Sequence, residues 1–426
     1  MKLKKLLGLT MATALVAASL AGCSSGGTTS APAASSAASE AASEAAEAAS
    51  EAASEAAEAT SEAAEATAAP EGTPFKIGAI GPFTGGAAAY GLAVQRGSAL
   101  AVEEINENGG INGYPVEHNS EDDELNNEKS MNAYNTLKDW GMQVVVGPTT
   151  SGCCIAVSDL ALEDNMFLLT PSGSAEDCVK YDNAFRVCFS DPNQGTASAQ
   201  YIAENSLGTK YAVIYDSSDP YSSGIYQTFN EEAANLGLEI VSAEAFTADS
   251  KTDFTVQLQK AKDAGADLMF LPIYYQEASL ILQQAADMDY APVFFGCDGM
   301  DGILGVENFD TSLAEGLMLL TPFAADATDD LTVSFVEKYQ AQYGEIPNQF
   351  AADAYDAVYA IKAAAEQAGV TPDMSVSDIC EGLKSGITQI TIDGLTGEGM
   401  SWDASGEPNK APKAVVIENG AYTLAQ

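Results

Sequence analysis

The chain predicts an α/β protein built from two similar lobes, each a parallel sheet covered by helices on both faces. Three observations carry this expectation. Apolar runs alternate with helix-like segments from Phe75 to about Gly296. The runs are continuous rather than alternating, the pattern of strands buried on both faces. Strand starts also recur at matched spacings, near residues 75, 114, 142 and 166 and then near 211, 238, 267 and 291. The last two intervals are 28 and 24 in the first series and 29 and 24 in the second, so two tandem βα lobes are the simplest account.

Ahead of this domain stand Lys2, Lys4 and Lys5, an apolar stretch from Leu6 to Leu20, and small residues. That order is a secretion signal over residues 1–22, its apolar stretch being short for a membrane span. The residues that end it, "LAGC", resemble the lipobox of bacterial lipoproteins, which implies cleavage before Cys23, lipidation of its thiol and an anchored protein outside the cytoplasm. Residues 23–72 are then a low-complexity stalk. Glu40, Glu44, Glu47, Glu51, Glu55, Glu58, Glu62 and Glu65 succeed one another three or four apart, on a single helical stripe. Alanine favours helix, but these glutamates repel by a few tenths of a kcal/mol per pair. A semi-rigid stalk, spanning roughly 40 Å if fully helical, and a disordered tether are both open. No apolar seam marks a coiled coil.

Nine glutamates and three lysines precede Gly72, which leaves 52 acidic against 15 basic residues, a net charge of −37. Such a surface repels phosphate backbones, so nucleic acid is excluded as a partner. The single histidine, His118, lies in the acidic stretch "PVEHNSEDDE" and is expected at the surface. One histidine rules out His-rich metal sites, and no GxSxG turn accompanies it, which argues against hydrolase chemistry. No cofactor or metal is expected. Beyond Cys23 six cysteines remain, Cys153, Cys154, Cys178, Cys188, Cys297 and Cys380. Export permits disulfides, but fifteen full pairings are possible, and buried thiols fit equally well.

Along the folded part, "FKIGAI" is the first strand, and the helix after it stops at Asn108-Gly109-Gly110. A strand near Val116, a helix from Asn126 to Trp140, the strand "MQVVVGP", a helix from about Cys154 to Asp164 and the strand "MFLLTPS" complete the first series. The second begins at "YAVIYDS" and continues through "LEIVSAEAF", "DLMFLPIY" and "PVFFGCD". Helices over Leu331–Tyr343 and Asn348–Ala368 come next, and the C-terminus is expected in short strands and turns.

Ligands of open parallel sheets sit beyond the carboxyl ends of strands, and the turns there share one chemistry. "GPFTGGAAAYG" carries Tyr90, "GPTTSGC" carries Thr149, Thr150 and Ser151, and "TPSGS" carries Ser172 and Ser174. The second lobe adds "DSSDPYSSG" with Tyr221, "PIYYQE" with Tyr274 and Tyr275, and "GCDGMDG" with Asp298. Hydroxyls and glycine-exposed N–H groups near helix starts attract a carboxylate. Asp298 suits an ammonium, and tyrosines give apolar walls with a polar tip. A zwitterion with an apolar side chain fits that set, and the lack of Lys or Arg in these turns disfavours an acidic side chain. Each turn taken singly is equally a helix cap; the convergence of six is what points to a site.

"KIGAIGPFTGGAAAYG", "VVVGPTTSG", "LLTPSGSA", "AFRVCFSDPNQG" and "DSSDPYSSG" resemble the substrate-binding proteins of branched-chain amino-acid ABC transporters, from about Phe75 to "GMSWDASGEPNK". The resemblance implies two Rossmann-like lobes in a type I periplasmic-binding clamshell crossed three times by the chain. Lobe 1 would comprise 73–191 and 322–393, and lobe 2 would comprise 192–321 and 394–426. It implies that Ser151 and the Ser174 backbone hold a ligand carboxylate. The Ser172 carbonyl, the Ser174 hydroxyl and Asp298 would hold its ammonium, with Tyr90, Tyr221, Tyr274 and Phe350 as side-chain walls. The family more often has Glu at the position of Asp298. "SEDDELNNE" lacks the first cysteine of the enteric members' disulfide, which leaves Cys178 with Cys188 as a candidate replacement. The implied protein is a monomer that captures an amino acid and delivers it to a membrane permease. The alternative is a clamshell sensor for an amide, urea or aromatic acid acting through a receptor; enzymatic activity is not expected.

Overall fold

The computed structural model describes residues 71–425. The secretion signal, Cys23 and the stalk up to residue 70 lie outside the described residues. Strand β1 (Phe75–Gly81) leads to helix α1 (Ala88–Glu107), β2 (Val116–Asp122), α2 (Asn127–Trp140), β3 (Val144–Val146), α3 (Ser151–Glu163), β4 (Phe167–Thr170) and β5 (Ala184–Arg186). The five strands form one parallel sheet in the order β2-β1-β3-β4-β5. Its central strands carry Ile77, Val145 and Leu168, each nearly or wholly without exposure, because helices cover both faces.

The chain then repeats the plan. Helix α4 (Asp191–Glu204) precedes β6 (Tyr211–Asp216), α5 (Pro220–Leu236), β7 (Ile240–Phe246), α6 (Thr255–Ala264), β8 (Leu268–Leu271), α7 (Tyr275–Asp287), β9 (Val293–Gly296) and β10 (Met318–Thr321). These strands run β7-β6-β8-β9-β10, the order of the first sheet displaced by five strands. The matched spacing in the sequence therefore has its counterpart in matched topology. Three more helices are α8 (Asp330–Tyr343), α9 (Gln349–Ala368) and α10 (Val376–Ile387). Of these, α9 packs on α1, β3 and β4, and α10 packs on α9 and β4, so the chain has returned to the first sheet. At Gly97 of α1 a Cβ would lie 2.1 Å from the Ala351 carbonyl oxygen, so only glycine lets α1 and α9 approach this closely. A hairpin, β11 (Ile392–Gly394) and β12 (Gly397–Met400), precedes β13 (Lys413–Glu418), which pairs antiparallel with β10, and β14 (Ala421–Leu424), which pairs antiparallel with β13.

Three expectations change, and the first is that the stretch after residue 368, expected in short strands and turns, begins with helix α10. His118 is half-buried in β2, its Nε2 2.9 Å from Ser98 Oγ, because parallel pairing with β1 draws it under α1. Cys178 and Cys188 are both free, as are the other four cysteines of the domain, and all six are buried. The Cys178 thiol points instead to the Ser151 carbonyl at 3.7 Å.

Where the chain passes between the sheets, Lys410 gathers the crossings. Its ammonium donates to the Val187 carbonyl at 3.0 Å, to Thr396 Oγ1 at 2.6 Å and to Asp353 Oδ1 at 2.7 Å. Val187 comes just after β5, Thr396 lies in the turn of the β11–β12 hairpin, and Asp353 is on α9. Among the described residues this is the one ion pair with both partners buried, at 1% and 2% side-chain exposure. All three ammonium hydrogens are used, which is what makes such burial tolerable. Lys410→Met leaves Asp353 buried without its cation, and the expected loss is about 3–5 kcal/mol. Urea unfolding of the two proteins at pH 7 measures it; an unchanged midpoint would contradict this role.

Candidate functional site

Both sheets send their strand ends to one place, and seven of the eight residues expected in a site line a single cavity there. Its walls are Tyr90, Thr149, Thr150, Ser151, Ser172, Tyr221, Tyr274, Asp298, Gly299 and Phe350. Ser151 opens α3, Ser172 lies just beyond β4, Tyr221 stands in the first turn of α5, and Asp298 lies just beyond β9. Tyr90 comes from α1 and Phe350 from α9. The free space between these walls is about 10 Å³, room for about one water. A cavity of about 390 Å³ lies elsewhere, between α8, α9 and β11 beside Glu104 and Lys338, and none of the expected residues reaches it.

The aromatic walls are packed against one another. The Tyr90 ring lies 4.2 Å from Phe350 and 5.4 Å from Tyr274, and Tyr221 stacks on Tyr274 at 5.1 Å. Tyr275, noted in its turn but not assigned to the site, closes the other side of Tyr90 at 5.0 Å. The polar ends reach across. Tyr90 Oη donates to the Gly299 carbonyl at 2.5 Å, and Gln349 Nε2 donates to the Asp298 carbonyl at 2.6 Å. These two bonds join elements of the first sheet to the turn after β9, so the cleft is closed. At Gly299 a Cβ would meet Tyr221 Oη at 2.7 Å and the Ile273 carbonyl oxygen at 2.9 Å, which explains a glycine directly after Asp298.

Asp298 is 4% exposed, with Tyr221 Oη donating to its Oδ1 at 2.7 Å. Burial is the main influence on it, and its pKa is pushed up to about 7 although Tyr221 and Gln194 hydrogen bonds oppose the rise. Asp353 behind it raises it further. A carboxylate in this position is short of a cation, and an ammonium supplied from the cleft would return it to the ionised form.

Hydroxyls line the same cavity. Ser151 Oγ accepts N–H bonds from Ser174 at 3.2 Å and Ala175 at 3.1 Å. Ser172 Oγ donates to the Thr149 carbonyl at 2.6 Å, while Thr150 Oγ1 has no hydrogen-bond partner. Ser174 is the expected residue that does not line the cavity. Its N–H is committed to Ser151 rather than free for a ligand, and its buried hydroxyl faces the Asp191 carboxylate. Beside that turn stands Asp191, missed in the sequence, with its carboxylate buried and the Ser174 hydroxyl as its donor. Burial holds the Asp191 carboxyl well above its ordinary range. Its position at the start of α4, beyond β5, was the available signal.

Among the described residues no cluster of His, Cys, Asp and Glu is arranged to hold a metal ion, and no helix is long and apolar enough to cross a membrane. Burial pushes the nearby Cys153 thiol up to about 12, and the Cys188 and Cys297 thiols well above their ordinary value, which keeps these three protonated.

Known proteins share this architecture. The chain is 32% identical over 305 residues to a Leu/Ile/Val-binding protein homolog from Brucella melitensis, covering 70% of this chain and 80% of that one. A solved LivJ substrate-binding protein from Streptococcus pneumoniae, in complex with isoleucine, superposes with a TM-score of 0.75 at 30% identity, covering 83% and 99% of the two chains. The leucine-binding protein LivK from Thermotoga maritima gives the same TM-score at 26% identity, covering 83% and 98%. A family model described as periplasmic binding protein matches residues 74–421, and the chain belongs to that family.

Proposed function

We propose that this protein captures a branched-chain or other neutral apolar amino acid outside the cytoplasm and presents it to an ABC permease, without making or breaking a bond. One observation carries the reading most: a single cavity is lined by a cation-poor carboxylate, Asp298, by serine and threonine hydroxyls, and by four aromatic rings. That is the complement of a zwitterion with a hydrocarbon side chain. In this reading Asp298 and the Ser172 carbonyl take the ammonium, Ser151 and Thr150 take the carboxylate, and Tyr90, Tyr221, Tyr274 and Phe350 enclose the side chain. The relatives named for leucine, isoleucine and valine support it.

Recognition works by closure. Residues 73–191 and 322–393 serve as one lobe and 192–321 and 394–426 as the other, each contributing part of the cavity. A ligand that bonds both favours the closed state by its differential affinity. With about 10 Å³ free, the rings must part to admit it. Lipidation at Cys23 would keep the monomer near its permease.

Calorimetric titration of the domain, unfolded and refolded to remove carried ligand, tests this. Leucine, isoleucine or valine should give saturable heat, and Asp298→Ala should weaken binding on the order of 100-fold, or about 3 kcal/mol. Heat only from an amide or aromatic acid would contradict the proposal. The pH dependence has a definite sign. An ammonium beside Asp298 lowers its pKa below the value of about 7 that it has in the closed cleft, so binding expels a proton. Affinity should therefore fall as pH drops from 7 to 5, approaching about tenfold per unit, and the slope should vanish in Asp298→Asn.

A further inference from the structure

No basic residue stands in the turns that line the cavity, yet a guanidinium lies directly behind one of them. Arg186, the last residue of β5, has no exposed surface. Its Nη1 donates to the Gly173 carbonyl at 3.2 Å and to the Ser174 carbonyl, and its Nη2 donates to the Ala175 carbonyl at 3.1 Å. The Gly173 carbonyl and the Ser174 N–H belong to one peptide unit, and the Ser174 carbonyl and the Ala175 N–H to the next. Both of those N–H groups end on Ser151 Oγ. Two successive peptide units are thus held at both ends, with Arg186 on their oxygens and Ser151 on their hydrogens.

A serine hydroxyl has two lone pairs and one hydrogen. With both lone pairs engaged by amides, Ser151 retains only its hydrogen, and it lines the cavity. We infer that Arg186 is a positioning residue for the carboxylate end of the site: it orients and polarises the two peptide units that leave Ser151 able only to donate. The inference rests on the amino-acid reading of the cavity. Polarisation along such a chain strengthens its last donor, and the guanidinium adds positive potential behind it. Lysine would not replace it, because the bonds leave from two separate nitrogens and number four with Glu407, one more than an ammonium has hydrogens.

Arg186 is itself held by the loop between β12 and β13. Trp402 Nε1 donates to the Arg186 carbonyl at 2.6 Å, and the Arg186 N–H donates to the Gly406 carbonyl at 3.0 Å. Glu407 Oε1 lies 3.1 Å from Nη2. At Gly406, with φ of +85°, a Cβ would come within 2.5 Å of the Ala184 carbonyl oxygen, so the loop sits against β5 only with glycine there.

Affinities for isoleucine and for isoleucinamide, which lacks the carboxylate, separate positioning from general support. Wild-type protein should prefer isoleucine, and Arg186→Lys should reduce that preference by about tenfold while amide binding changes little. In a Ser151→Ala background, Arg186→Lys should reduce it no further, since the effect passes through that hydroxyl. Trp402→Phe, which removes only the indole donor, should act in the same direction by a smaller factor and decides the matter if Arg186→Lys does not fold. Equal weakening of both ligands, an unchanged preference, or a full effect without Ser151 would overturn the inference. A wild-type protein without preference for the acid would instead overturn the amino-acid reading, and this one with it.

Discussion

Burying Asp298 with no cation beside it is the constraint on which the rest of the cleft depends. Desolvation of a lone carboxylate opposes its charged form, and the surroundings answer with donors that only partly offset it: the Tyr221 hydroxyl on the side chain and Gln194 nearby. The cationic side chains close by are already engaged. Lys410 is committed to Asp353 and two oxygens of the crossings, and Arg186 to three carbonyls and Glu407. A site arranged in this way has a place for one more positive charge, and that place opens onto a ring of aromatic side chains.

The fold explains how such distant residues meet. Two sheets with the same strand order direct their carboxyl ends toward each other, so turns separated by more than a hundred residues in the chain become neighbours. The chain crosses between the sheets several times, and the crossings share hydrogen bonds with one another. Lys410, Arg186 and Trp402 belong to this shared layer, which ties the C-terminal loop to the strand behind the hydroxyl end of the site. The walls of the cavity therefore rest on one connected set of polar groups at the crossings.

Much of this was legible from the chain because long apolar strands and their turns are local signals. Strands β1 to β4 and β6 to β9 start close to where their apolar runs do, and the turns at their carboxyl ends or the helix starts just past them hold Tyr90, Ser151, Ser172, Tyr221, Tyr274 and Asp298. Phe350 came from family resemblance, since nothing local distinguishes it from a core residue of α9. Strand β5 is only three residues long and ends in arginine, so no apolar run announced it, and Arg186 escaped a search confined to turns. Helix α10 is short and carries Gly382 and Gly386, each unfavourable inside a helix; at Gly386 a Cβ would lie 2.2 Å from the Ala364 carbonyl oxygen, so tertiary packing decided that glycine. Ser174 lies in the expected turn, but which way its amide points depends on Ser151 and Arg186, which no local pattern links to it.

The central claim concerns where the two charges of a zwitterion lie, and a crystal structure of the refolded domain with isoleucine tests it most directly. The account predicts the ligand carboxylate within hydrogen-bond distance of Ser151 Oγ and the ammonium within reach of Asp298, with Tyr90 and Phe350 against the side chain. Isoleucine in the opposite orientation, or seated in the cavity beside Glu104 and Lys338, would contradict it.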